Sequence, residues 1–157
     1  MPTDWPIYAS SALLALLLIV GAVTDIRERV ISNRLNMAIA ISAPLYWWAT
    51  GVSLWPGVGI QLGMALAIFV IFAGLFALGL MGGGDVKLLG ALALWLPWKE
   101  MGQLLIIMAV VGGLITLATL IHHRMTRREG QPEVPYGVAI ALAGLWVLGE
   151  LNLNPFS

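Results

Sequence analysis

Residues 57–80 read GVGIQLGMALAIFVIFAGLFALGL and contain no charged side chain. They run directly into Met81-Gly82-Gly83-Gly84-Asp85. About 20 consecutive apolar residues are enough for an α-helix to cross the hydrocarbon core of a bilayer. A surface helix of a water-soluble domain would carry a polar face, and this stretch offers only Gln61. Two further runs read the same way, Ile7 to Thr24, which ends on Asp25, and Gly102 to His122. Hydrophobic residues make up 60% of the 157-residue chain, charged residues 10%, and the mean hydropathy is +0.93. Soluble domains carry about 25% charged residues, too many to reconcile with this composition. The expected fold class is an all-α membrane protein.

Working outward, three shorter apolar segments run from about Asn36 to Thr50, Val86 to Leu96 and Pro135 to Leu148. With the three long runs they predict a six-transmembrane-helix bundle forming a single domain over residues 1–157. The segment from Val86 is short for a crossing and admits a re-entrant form, which would need protein burial or a polar cavity to satisfy its backbone. Seven of the eight basic residues fall in three connections: Arg27, Arg29 and Arg34; Lys87; and Arg124, Arg127 and Arg128. Positive-inside bias places these connections in the cytoplasm, and six crossings then put both termini on the other side. Trp47, Trp48, Trp55, Trp95 and Trp98 cluster at the predicted outer ends, with Trp5 and Tyr8 at the outer start, as an interfacial aromatic belt does. The leader Met1–Pro6 carries a negative Asp4 and no positive charge, so the first run reads as a retained helix rather than a cleaved signal. Gly59 and Gly63 are spaced to allow close helix contacts, chiefly within the chain.

The chain has no cysteine. That excludes disulfides, thiolate-held zinc or iron–sulfur centres and a cysteine nucleophile. His122 and His123 sit at the end of an apolar run beside Arg124, without the spaced carboxylates of a metal site. No cofactor and no metal is expected. A formal net charge of zero with scattered basic residues argues against a nucleic-acid partner; membrane lipids are the expected surroundings.

Asp25 closes the first long run and Asp85 opens the fourth segment, and the expected topology places both on one membrane face. Ionisable residues at such positions are functional candidates. Each aspartate also has an ordinary reading: Asp85 caps the helix starting at Val86, and Arg27 or Lys87 pairs with a carboxylate. If the two carboxylates face each other, they share a proton. One then takes a proton from water while the other donates one to a peptide carbonyl. The glycines before Asp85 allow a substrate strand to approach closely.

The stretch Asp25-Ile26-Arg27-Glu28-Arg29-Val30-Ile31-Ser32-Asn33 resembles the first motif of type IV prepilin peptidases, with Ser32 where that family usually has proline. Gly82-Gly83-Gly84-Asp85-Val86-Lys87 resembles the second, Gly-x-Gly-Asp followed by a lysine, and Val134-Pro135-Tyr136-Gly137-Val138 resembles the final-helix signature. The resemblance implies a six-helix bundle of the Gly-x-Gly-Asp aspartyl protease type in the bacterial cytoplasmic (inner) membrane. It implies that Asp25 and Asp85 are the catalytic pair and that Gly82 and Gly84 shape the loop holding Asp85. It further suggests supporting or substrate-binding roles for Asn33, Lys87 and Tyr136. The implied activity is removal of the short basic leader from type IV (Flp-like) prepilins or pseudopilins at the cytoplasmic border, with pilus-assembly components as further partners. Only about a dozen residues separate the first two segments, and the four zinc-binding cysteines of larger members are missing. The chain therefore resembles the short tight-adherence form, for which no N-methyltransferase activity is expected. Three alternatives keep part of this pattern: a presenilin-like or preflagellin-type aspartyl protease with another substrate, a small transporter whose aspartates carry protons, and a non-catalytic assembly factor.

Overall fold

The computed structural model describes residues 4–126 and 136–153. Among these residues six α-helices follow one another, α1 (Trp5–Glu28), α2 (Asn33–Thr50), α3 (Gly59–Ala77), α4 (Gly83–Ala93), α5 (Trp98–Thr126) and α6 (Tyr136–Leu153), with a π-helical turn at Leu54–Val58 leading into α3. α6 packs against α1, α5 and α4, while α4 packs against α2, α3 and α6. The core is apolar where these elements meet, with Leu18, Ile39, Leu89, Leu104, Ala139 and Ile140 fully buried.

The expected six crossings are corrected by this arrangement. Among the described residues, three helices are long and apolar enough to cross a membrane: Trp5–Glu28, Leu54–Ala77 and Trp98–Met125. α2 opens on Asn33, Arg34 and Asn36 and does not reach the required apolar character. α4 has 11 residues, a rise of about 16 Å, roughly half the bilayer core. The apolar part of α6, Tyr136–Asn152, is likewise short. The sequence argument noted that these three segments are short but still counted them as crossings, and a short apolar helix is also what a helix buried on all sides looks like.

α4 is such a helix. Seven of its residues are buried, from Asp85 and Val86 to Ala93. The last carbonyls of a helix lack intrahelical partners, and here side chains from neighbouring helices supply donors just past the end of α4. Trp47 Nε1 donates to the Leu94 carbonyl at 2.7 Å and Gln61 Nε2 to that of Leu96 at 2.7 Å. The protein thus satisfies the end of a helix too short to span.

By contrast, the long helices show apolar side chains outward. α3 exposes Ile60, Leu62, Leu66, Val70, Ile71 and Phe76, far more contiguous apolar surface than water tolerates. Three such helices make this a multi-pass membrane protein. The aromatic residues divide. Trp5, Trp48, Trp55 and Trp98 are exposed, whereas Trp95 is 1% exposed and donates to the Ile39 carbonyl at 2.8 Å. Trp95 therefore belongs to the core and not to an interfacial belt. A methyl group at Gly63 would meet nothing within 4 Å, so this glycine makes no close helix contact among the described residues. Arg127, Arg128 and Pro135 of the third basic connection, and the termini at residues 1–3 and 154–157, lie outside the described residues.

Candidate active site

Two helix ends and one connection bring the aspartates together. Asp25 lies in the last turn of α1, which closes on Arg29 in the left-handed conformation (φ 55°) with the Arg29 amide donating to the Asp25 carbonyl at 3.0 Å. This turn lets the chain reverse into α2. Ser32 caps α2, its hydroxyl accepting from the Leu35 amide at 3.2 Å. The serine found in place of the family's proline thus has a local role, satisfying an otherwise unpaired first-turn amide.

α4 begins at Gly83, three residues before the expected start at Val86, with Gly82 as its N-cap. Asp85 is consequently inside the first turn rather than ahead of it. A carboxylate at this third position can reach back to the N-cap amide, as in a capping box, and the Gly82 amide does donate to Asp85. Asp25 and Asp85, 5% and 9% exposed, line one open cavity of about 530 Å³ together with Arg29, Ile31, Gly82 and Tyr136. Burial pushes the Asp85 carboxyl up to about 7, the negative Asp25 nearby adds to the rise, and the Gly82 amide opposes it. The pair is therefore electrostatically coupled.

The start of α6 supplies the third wall. The Val138 amide donates to Asp25 Oδ2 at 3.0 Å, and the Gly137 amide also interacts with that carboxylate. First-turn amides of a helix have no partners in their own helix and favour an anion. Asp25 thus serves α6 as an N-terminal cap delivered from α1. Such a close approach requires glycine at 137. A Cβ there would lie 2.8 Å from Asp25 Oδ2 and 2.5 Å from Ile31 Cδ1. Gly84 is similarly confined, since a Cβ would come within 3.1 Å of Ile31 Cβ and 3.2 Å of the Ile31 carbonyl oxygen.

Of the residues singled out from sequence, Asp25, Asp85, Gly82, Gly84 and Tyr136 line this cavity. Asn33 and Lys87 do not. Lys87 Nζ donates to Asn33 Oδ1 at 2.8 Å, and both line a separate, mainly apolar groove of about 610 Å³ between α2, α3 and α4. The cation acting on Asp25 is Arg29, not Arg27 or Lys87. Sequence reasoning passed over Gly137, Ile31 and Arg29. Gly137 had a signal, a glycine in the first turn of an otherwise apolar helix, but its neighbour in space is more than a hundred residues away in sequence.

A multi-pass membrane protein with two coupled carboxylates in one cavity is the class that fold and site define. The profile described as the Type IV leader peptidase family matches residues 12–117. The chain belongs to that family. It is 32% identical over 118 residues to a prepilin leader peptidase/N-methyltransferase of Burkholderia pseudomallei (strain 1026b), covering 67% of this chain and 36% of the relative. It is 34% identical over 70 residues to a prepilin leader peptidase/N-methyltransferase of Aeromonas salmonicida (strain A449), covering 43% and 22%. The chain thus spans about a third or less of the length of these relatives. No solved structure matches it, so neither the helix arrangement nor a structural counterpart supports the expected bundle of the Gly-x-Gly-Asp aspartyl protease type.

Proposed function

We propose that the chain is an aspartic endopeptidase that removes the short basic leader of a type IV (Flp-like) prepilin or pseudopilin at the cytoplasmic face of the bacterial inner membrane, acting as a single domain. The observation that carries this reading is the common cavity of Asp25 and Asp85, with the Asp85 carboxyl raised to about 7. Near neutral pH such a pair holds one proton. Asp25, facing the amides of α6, takes a proton from the attacking water. Asp85 gives its proton to the scissile carbonyl oxygen as the water oxygen bonds to the carbon. Collapse of the tetrahedral intermediate returns the hydroxyl proton to Asp85 and breaks the C–N bond as the departing nitrogen takes up the proton held by Asp25. One water is consumed, and a new carboxyl and a new amine result.

Location supports the same reading. Arg27, Arg29, Arg34 and Lys87 lie at or next to the helix ends that carry the two aspartates, and positive-inside bias favours the cytoplasmic side for them. Both aspartates are within one helical turn of a helix end, the depth at which a prepilin's leader meets its apolar helix. The names of the relatives also include N-methyltransferase, but this chain covers only 36% of the Burkholderia protein, and the proposed activity is the peptidase alone.

The test is co-expression with a tight-adherence-type prepilin, following leader removal as a mobility shift and by mass spectrometry. Wild type is expected to release the leader, and Asp25→Asn and Asp85→Asn are each expected to leave the precursor intact. Full processing by either variant at matched membrane levels would sink the mechanism.

A further inference from the structure

We propose that Asn36 is a positioning residue for the aspartate pair, its side-chain amide tethering the Gly84 carbonyl and with it the first turn of α4 that carries Asp85. This inference rests on the catalytic reading of Asp25 and Asp85. Asn36 is 5% exposed, in the first turns of α2. Its Nδ2 donates to the Gly84 carbonyl oxygen at 3.1 Å, across 48 residues of sequence. Its Oδ1 is buried with no hydrogen-bond partner among the described residues.

An unmet buried acceptor is destabilising, so the position bears a cost that leucine, of similar size, would not. What asparagine adds is the donor. The Gly84 carbonyl does not require it, because a carbonyl inside α4 points toward the amides of the next turn. The Asn36 bond is therefore an additional tether between two helix starts. Gly84 is held on its other side by Ile31, whose Cβ and carbonyl leave no room for a side chain there. Ile31 in turn approaches Gly137, whose neighbour amide binds Asp25. Asn36 thus closes a frame running from the α4 turn through Ile31 to the α6 amides, and that frame sets Asp85 relative to Asp25. Reactions that depend on two groups acting on one bond are sensitive to such placement.

The groups sharing the cavity with Asp85 are Asp25 and Arg29 from the end of α1 and Tyr136 from α6. The connection from α3 adds Gly79, Leu80 and Met81, and Lys87 faces Asn33 instead. The alkaline limb of a kcat–pH profile therefore reports on the aspartate pair. Loosening the α4 turn admits water to Asp85, relieves the burial that raises its carboxyl, and moves that limb to lower pH.

The decisive experiment is steady-state cleavage of a tight-adherence-type prepilin by the full chain in detergent, comparing wild type, Asn36→Leu and Asn36→Gln. Asn36→Leu is expected to lower kcat about tenfold or more, to keep KM within about twofold, and to shift the alkaline limb downward. Asn36→Gln, which retains a donor, is expected to recover part of both. An Asn36→Leu enzyme with wild-type kcat and an unmoved limb overturns the proposal, as does a glutamine variant no better than the leucine one. Should Asn36→Leu not fold, Asn36→Ala replaces it in the same comparison and with the same criteria. Parallel Asp25→Asn and Asp85→Asn enzymes separate the two layers: their activity refutes the catalytic reading itself, whereas their inactivity beside a fully active Asn36→Leu enzyme refutes only the tether.

Discussion

Gly137→Ala is the most informative single substitution, because its effect follows from three distances. The added methyl would sit 2.5 Å from Ile31 Cδ1, 2.8 Å from Asp25 Oδ2 and 2.9 Å from Asp25 Cγ, against the roughly 3.5–4.0 Å of an ordinary carbon contact. The Ile31 methyl is the free end of a side chain and can rotate away for about 0.5–1.5 kcal/mol of rotamer strain. Asp25 has less freedom. Moving its carboxylate lengthens the 3.0 Å bond from the Val138 amide, and a hydrogen bond to a charged group contributes about 1.5–3 kcal/mol. The sum is a loss of about 2–4.5 kcal/mol. A carboxylate displaced by about 1 Å would reduce leader removal roughly a hundredfold. Thermal melting in detergent and the processing rate are both measured, alone and with Ile31→Val, which deletes the nearest atom. The double variant is expected to recover the Ile31 share of stability and little of the activity, since the contact with Asp25 remains. Unimpaired processing by Gly137→Ala, or its full restoration by Ile31→Val, would refute the argument that this glycine exists to admit the Asp25 carboxylate.

Two further outcomes follow from the same geometry. The Asp85 carboxyl titrates near 7 in the fold against an ordinary 3.8, so between those values the folded chain holds a proton that the unfolded chain releases. Its contribution to stability is complete below about 3.8 and is lost as pH rises to about 7. The melting temperature should therefore fall across that interval, with a shallower slope in Asp85→Asn; an equal slope in the two proteins would contradict the buried, raised carboxyl. At the far end of α4, Trp95→Phe removes the additional bond to the Ile39 carbonyl, which stays in the α2 ladder, and should cost about 0.5–1.5 kcal/mol. Wild-type melting of that variant would place Trp95 back at the lipid interface.

The long apolar helices could be read from sequence because the bilayer imposes a length and a composition that residues 57–80 display openly. The short segments were legible as helices but not as non-spanning ones: Val86 to Leu96 is apolar like residues 57–80, its shortness alone left crossing and enclosure both open, and the packing against α2, α3 and α6 decides between them. Trp95 shows the same ambiguity. Its place in sequence suited an aromatic belt, and its indole is instead spent on the Ile39 carbonyl. At the site, Asp25 and Asp85 were legible because a charge at the edge of an apolar run stands out. Asn36, Ile31 and Gly137 are ordinary residues locally, and each matters through a neighbour 48 or more residues away that no local pattern encodes.

The contrast between long and short helices also explains how carboxylates can be held here at all. Asp25 ends a helix that spans, one turn from its last residue, so its charge lies near the polar boundary while its helix remains in lipid. Asp85 opens a helix that does not span, and the protein, not lipid, surrounds it. Were α4 a full crossing exposed to lipid, the coupled carboxyl at its start would rely on the membrane interface for its polar contacts. With α4 enclosed, the Gly82 amide serves Asp85, the α6 amides serve Asp25, and Asn36 ties the Asp85 turn to α2. The short helices supply the polar groups that a site at this depth requires, amides from the starts of α4 and α6 and the Asn36 side chain from α2. Asp85 thus sits where its proton affinity is raised and Asp25 where amide donors face it, the asymmetry that the proposed acid and base would need.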